Sequence, residues 1–150
     1  MELEIITPEQ AELLWKMQVD AFSQLLEKYK DYDTNPACEK IDRITARLTD
    51  GSFYYFITDN GEKVGAVRVV TGGDKKRISP IFIMKQHRGK GYAQQAIRCA
   101  EKIHGENGWA LETILQEQGN CYLYEKLGYK RTGRIERINE RMDLVYYEKD

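Results

Sequence analysis

Histidine and cysteine are scarce in this chain, with two of the first and three of the second in 150 residues. His87 and His104 are too few and too far apart for an evident metal site. Cys38, Cys99 and Cys121 are an odd number without ligand spacing. That argues against a disulfide framework and for reduced thiols in a cytoplasmic protein. Cys99 adjoins an apolar helical stripe, where core packing is the expected role. Neither charge dominates: 23 basic residues face 24 acidic ones, for a net charge of −1. No general cationic surplus exists to hold nucleic acid or an anionic membrane. No apolar run approaches the ~20 residues of a membrane span, and Met1 leads into charged residues and not into a signal-peptide pattern. Repeats, linkers and low-complexity tracts are also missing.

What is present is enough apolar material, 41% of residues, for one packed domain over residues 1–150. The most informative stretch is Gln86-His87-Arg88-Gly89-Lys90-Gly91-Tyr92-Ala93. The apolar run Ile78 to Met84 enters it, and a helical stripe of Ala93, Ala96, Ile97, Ala100 and Ile103 leaves it. A strand therefore meets a helix through a short turn with two glycines and two cations. Glycine lets backbone approach an anion closely. Helix-start N–H groups and the helix dipole favour negative charge there. Arg88 and Lys90 can add charge-assisted bonds. A nucleotide-binding Walker loop is excluded by spacing. A dinucleotide fingerprint is excluded because Gln94 stands where its third glycine is required.

Elsewhere the pattern predicts a strand over Glu2–Ile6 and a helix that opens at Thr7-Pro8-Glu9-Gln10 and runs to about Lys28. Turn formers fill residues 31–36, and a second helix is expected over Cys38–Leu48, closed by Asp50-Gly51. Phe53–Thr58, Val64–Val70 and Arg77–Met84 read as three antiparallel strands, the first two joined by Asp59-Asn60-Gly61. Pro80 lies inside the third and predicts a bulge or a gap in pairing. Trp109–Leu115 reads as a strand, Asn120–Lys126 as a short helix, and Tyr129–Ile138 with Met142–Glu148 as a closing hairpin.

A second motif is Leu123-Tyr124-Glu125-Lys126-Leu127-Gly128-Tyr129. Taken with the first, it resembles the GNAT superfamily of acyl-CoA-dependent N-acyltransferases. Gln86, Gly89 and Gly91 match the family's Gln/Arg-x-x-Gly-x-Gly/Ala pattern, and Tyr124, Gly128 and Tyr129 its Tyr-x-x-x-Gly-Phe/Tyr pattern. The likeness is close over the C-terminal half and rests on element order before it. It implies an α/β fold with a mixed, mostly antiparallel sheet, splayed at the cofactor cleft and flanked by helices. It implies acetyl-CoA as cofactor, with Arg88, Gly89, Lys90, Gly91, Tyr92 and Ala93 around its diphosphate. Ile81, Phe82 and Ile83 would run beside its pantetheine arm, and backbone near Ile83 would hold the oxyanion.

By the same resemblance, Tyr124 is the expected acid for the leaving thiolate. Glu112 is the expected base, with Glu117, Tyr54 and Tyr55 as fallbacks or an ordered water in its place. The family often carries Asn seven residues before the tyrosine and Ala four before; Glu117 and Asn120 stand there instead. Asn120 is therefore either a cofactor contact or a helix cap. Asp31, Tyr32 and Asp33 would wall the acceptor site and suit a cationic amine, by ion pairing and cation–π contact. The acceptor is a small-molecule or protein amine, and no cysteine is placed for a covalent intermediate, so a direct ternary complex is expected. The rival is a non-catalytic acyl-CoA-binding or sensor module on the same fold, which need not keep Tyr124. Exposed strand edges and the tyrosine-rich final strand suit a homodimer.

Overall fold

The apolar runs of the middle third become a meander. In the computed structural model, which describes residues 1–50 and 52–150, β1 (Glu2–Ile5), β2 (Phe53–Asp59), β3 (Glu62–Val70) and β4 (Lys76–Ile83) pair antiparallel in that order. Asn60 and Gly61 take φ of 50° and 80°, the left-handed pair that a tight two-residue hairpin requires. β5 (Trp109–Ile114) joins β4 in parallel, and β7 (Met142–Lys149) separates it from the edge strand β6 (Lys130–Asn139). The result is a seven-stranded mixed sheet in the order β1-β2-β3-β4-β5-β7-β6.

Helices cover both faces, as the alternation in β2 requires. Tyr54 and Phe56 point into one core with Leu14, Met17 and Ala21 of α1 (Ala11–Tyr29) and Ile44 of α2 (Ile41–Thr49). Tyr55 and Ile57 point into the other, with Ala96, Ile97 and Ala100 of α3 (Tyr92–His104) and Cys121 and Tyr124 of α4 (Gln118–Lys126). Each fully buried large apolar side chain in these layers contributes about 1.5–3 kcal/mol. No described helix is long and apolar enough to cross a membrane.

The seam between β4 and β5 is short. Only Lys76↔Trp109 and Arg77↔Ala110 pair across it, and both strands then run on without each other. The cause is local. Register with β3 jumps between Val67↔Ile81 and Val69↔Ile78, so Arg68 alone faces Ser79 and Pro80. This is the bulge that Pro80 predicts, because proline has no N–H for a ladder.

Four details depart from the sequence reading. The second helix does not begin at Cys38. Asn35 caps a single turn, Pro36–Cys38, through Ala37 N at 2.8 Å, and regular helix starts at Ile41. Ile103 is 54% exposed, whereas Glu101 beside it is buried, its carboxylate accepting from the Tyr129 hydroxyl (2.9 Å) and from Lys149 Nζ (3.1 Å). The apolar stripe ends before the last turn of α3. Cys99 is only half-buried. α4 starts at Gln118, so Asn120 lies in its first turn and does not cap it. The end of α2 expected at Asp50-Gly51 falls partly on Gly51, which is outside the described residues.

Candidate active site

The turn between β4 and α3 sets two left-handed glycines ahead of a helix start. Gly89 and Gly91 take φ of +77° and +82°, the region other residues rarely enter. A Cβ on Gly89 would meet nothing within 4 Å, and one on Gly91 only the Gln95 amide at 3.7 Å. The glycines are thus required by the backbone path, and open space lies above them. Gln95 N donates to Gly91 O at 3.1 Å, and the N–H groups ahead of it have no intrahelical acceptor.

The expected side-chain contacts are only partly free. Arg88 donates from Nε to Ile83 O (2.9 Å) and from Nη2 to Ala21 O (3.0 Å). Its guanidinium ties α1 to the end of β4 and does not reach over the turn. Tyr92 donates to Asp59 at 2.6 Å and so anchors α3 to β2. Lys90 is exposed, and Ala93 is half-buried.

Beyond the short seam lies a cleft of about 820 Å³. Ile81, Glu112, Asn120 and Tyr124 line it from the sheet and α4, and Asp31, Tyr32 and Asp33 from the loop after α1. Phe82 instead turns its ring to the opposite core, against Phe22 at 5.7 Å. The backbone of this segment is more telling. Met84 N donates to Val64 O (2.8 Å), and Ala66 faces Phe82 two residues on. By the alternation of an antiparallel ladder, the N–H groups of Ile81 and Ile83 point the other way. That edge is the one β5 does not cover.

Tyr124 is buried, and its hydroxyl has no hydrogen-bond partner among the described residues. Burial is the main cause that pushes its pKa up to about 12, with the Cys121 thiol adding to it. Glu112 is half-buried and ion-paired with Arg77, and it faces Tyr146 directly across the β5–β7 ladder. Tyr146 donates to Glu136 at 2.7 Å. Asp31 is 4% exposed, and its carboxylate accepts from the Asn35 amide at 3.1 Å with no cation in ion-pair range among the described residues. Asp33 and Tyr32 are exposed at the rim.

Several partners escape sequence reading. Arg77 lies 35 residues from Glu112, and Glu117 holds Tyr29 and Lys28 from 88 and 89 residues away. Tyr54 is buried with its hydroxyl donated to Gln18 (2.9 Å), and Tyr55 pairs with His104 on the far face (2.8 Å). Neither is among the cleft residues. A charged residue on each strand at the seam, Arg77 and Glu112, was the one available signal for the first pair.

Comparison with known proteins agrees with this fold. The family description "Acetyltransferase (GNAT) domain" matches residues 50–131, more than half of the chain. A mouse relative, "Probable N-acetyltransferase family 8 member 5", is 30% identical over 71 residues, which are 45% of this chain and 31% of the relative. The matched region is thus about a third of that protein. Among solved structures, a spermidine N-acetyltransferase chimera from Vibrio cholerae and hSSAT superposes with a TM-score of 0.71 at 16% identity, over 98% of this chain and 94% of the other. A putative streptothricin acetyltransferase from Bacillus anthracis, in complex with acetyl coenzyme A, gives a TM-score of 0.57 at 20% identity over 64% and 60%. With its family pattern, its splayed seven-stranded sheet and its glycine turn in agreement, the chain belongs to the GNAT acetyltransferase family.

Proposed function

We propose that this chain transfers an acetyl group from acetyl-CoA to a cationic primary amine within a direct ternary complex. One observation carries the reading. The uncovered edge of β4 at Ile81 and Ile83 runs from the cleft holding the unpartnered Tyr124 hydroxyl to the open glycine turn at Gly89 and Gly91. That single path offers donors for an extended amide-bearing arm and, at its end, for a diphosphate. Asn120, in the first turn of α4, borders it, and Lys90, exposed beside the glycines, can pair with phosphate.

Acetyl-CoA supplies the thioester. The amine nitrogen bonds to the thioester carbon, the C–S bond breaks, and CoA leaves as thiolate. Glu112 takes the proton that the ammonium loses before attack, directly or through one water, and the second proton, lost by nitrogen as the amide forms, restores the one that Tyr124 gives up. The N–H of Ile83 faces the developing oxyanion. Tyr124 gives its proton to the thiolate, and its unpartnered hydroxyl is free to turn toward sulfur. The acceptor's charge follows from the cleft lining, which carries Asp31, Asp33, Glu39, Asp42, Glu112 and Glu136 against Lys40, Arg43 and Arg47. Arg47 is held by Glu39 at 2.7 Å, which leaves the buried Asp31 as an anchor for a positive group.

Thermal unfolding with acetyl-CoA tests the cofactor. Ligand at 100 times its dissociation constant stabilises by about 2.7 kcal/mol. No rise in melting temperature at millimolar acetyl-CoA would sink the assignment.

A further inference from the structure

We infer that Glu117 is a positioning residue which clasps the acceptor wall to the helix that carries Tyr124. The inference rests on the function proposed above and extends it to how the two half-sites are assembled. Glu117 is the N-cap of α4, and Asn120 and Tyr124 follow it at i+3 and i+7, on one face of the helix. Its carboxylate accepts from Lys28 Nζ at 2.8 Å and from the Tyr29 hydroxyl. Tyr29, only 3% exposed, ends α1. Its carbonyl accepts from Asn139 Nδ2 at 2.9 Å, and Lys30 then turns the chain through a left-handed φ of 55° into Asp31. On the other side, Gln116 is fixed to Asp143 by two bonds of 3.0 Å, one donated by its amide and one accepted from Asp143 N. Two segments distant in sequence, the end of α1 and the start of α4, therefore meet at one carboxylate, and the β6–β7 hairpin holds the residues beside them, Tyr29 through its carbonyl and Gln116 through its amide.

The lever arms are short. Asp31 lies two residues beyond Tyr29, about 7 Å of chain at most. Tyr124 lies seven residues beyond Glu117, about 10.5 Å along a rigid helix. A shift at the clasp displaces the anionic anchor Asp31 and the proton donor Tyr124 together, and misplacement by about 1 Å can cost about 10²-fold in rate. Glu117 stands where the resembled family often places a cofactor-contacting asparagine. In this chain the side chain turns away to Tyr29 and Lys28. A ligand seated against Asn120 and Tyr124 therefore fixes the first turns of α4 and, through Glu117, the loop that starts at Lys30. Acetyl-CoA binding pre-orders the acceptor wall.

The test couples two readouts on the full chain, with acetyl-CoA as the probe. Amide hydrogen exchange over residues 30–38 is measured with and without acetyl-CoA, and thermal unfolding reports binding in the same samples. In the wild type acetyl-CoA slows exchange across the loop by about tenfold, a coupling of about 1.4 kcal/mol. In Tyr29→Phe, which keeps the ring and its packing, and in Glu117→Ala, the melting shift with acetyl-CoA remains and the slowing is lost. Glu117→Gln retains an acceptor oxygen for both donors and restores most of the slowing. Variants that unfold earlier yet keep the full acetyl-CoA-dependent slowing would reduce Glu117 to a structural brace and overturn the inference. Equal slowing in all four proteins would do the same while leaving the proposed function standing. A wild type with no melting shift would overturn both.

Discussion

Replacing Tyr124 by Phe should separate chemistry from stability. The ring packs in the α3–α4 core, so the variant keeps the apolar contacts. The hydroxyl has no partner among the described residues, so its removal leaves no buried group orphaned, and the melting temperature at neutral pH should change little. Turnover should nevertheless fall by roughly 10²–10⁴-fold, the range for loss of a positioned acid or base. The acetyl-CoA melting shift should persist. The pKa of about 12 adds a second signature. Against a reference near 10, that rise corresponds to roughly 3 kcal/mol. The folded pKa is raised, so the unfolded chain releases this proton first as pH climbs. Wild type should therefore lose roughly 3 kcal/mol relative to Tyr124→Phe between about pH 10 and 12 and nothing below that window. Denaturant melts at pH 7, 10 and 11.5, paired with a thiol-release assay, read both effects. A Tyr124→Phe protein as active as wild type would refute the acid role. A large loss of stability at pH 7 would refute the claim that the hydroxyl is unpartnered.

Tyr129→Phe should behave in the opposite way: its hydroxyl donates to the buried Glu101, so stability should drop by about 1.5–3 kcal/mol in urea melts while kcat holds. Gly91→Asp should abolish the acetyl-CoA melting shift, because it puts a side chain on a φ of +82° and a carboxylate where a diphosphate is expected. Asp31→Asn should raise KM for cationic amines at least tenfold and leave acetyl-CoA binding unchanged; equal kinetics would remove the buried Asp31 from the acceptor site. Glu112→Gln should lower the rate and flatten the acidic limb of its pH profile, and an unaltered limb would hand the proton to water.

The parts of this architecture that are legible in sequence are the local ones. Asn60-Gly61 announces its hairpin, Gly89 and Gly91 their turn, and Pro80 its bulge, since each is a backbone conformation that few residue types tolerate. Tyr124 is legible through its motif, and its burial follows from the helix face it shares with Cys121. What is not legible is pairing at a distance. Arg88 reads as a phosphate ligand because sequence cannot show that Ile83 O and Ala21 O will fold beside it. Glu117 reads as a fallback base because Tyr29 and Lys28 are 88 and 89 residues away. Ile103 reads as core because its spacing continues the stripe, and only the tertiary structure shows where that stripe stops.

The cleft is proposed to hold acetyl-CoA and an amine together and to move an acetyl group between them. The most direct measurement is thiol release from acetyl-CoA against a panel of amines, with mass spectrometry of the acceptor. Release should require a cationic amine, match the acetylated product in amount and fall by roughly 10²–10⁴-fold in Tyr124→Phe. Tight acetyl-CoA binding with no thiol release from any amine would contradict this proposal and favour an acyl-CoA sensor.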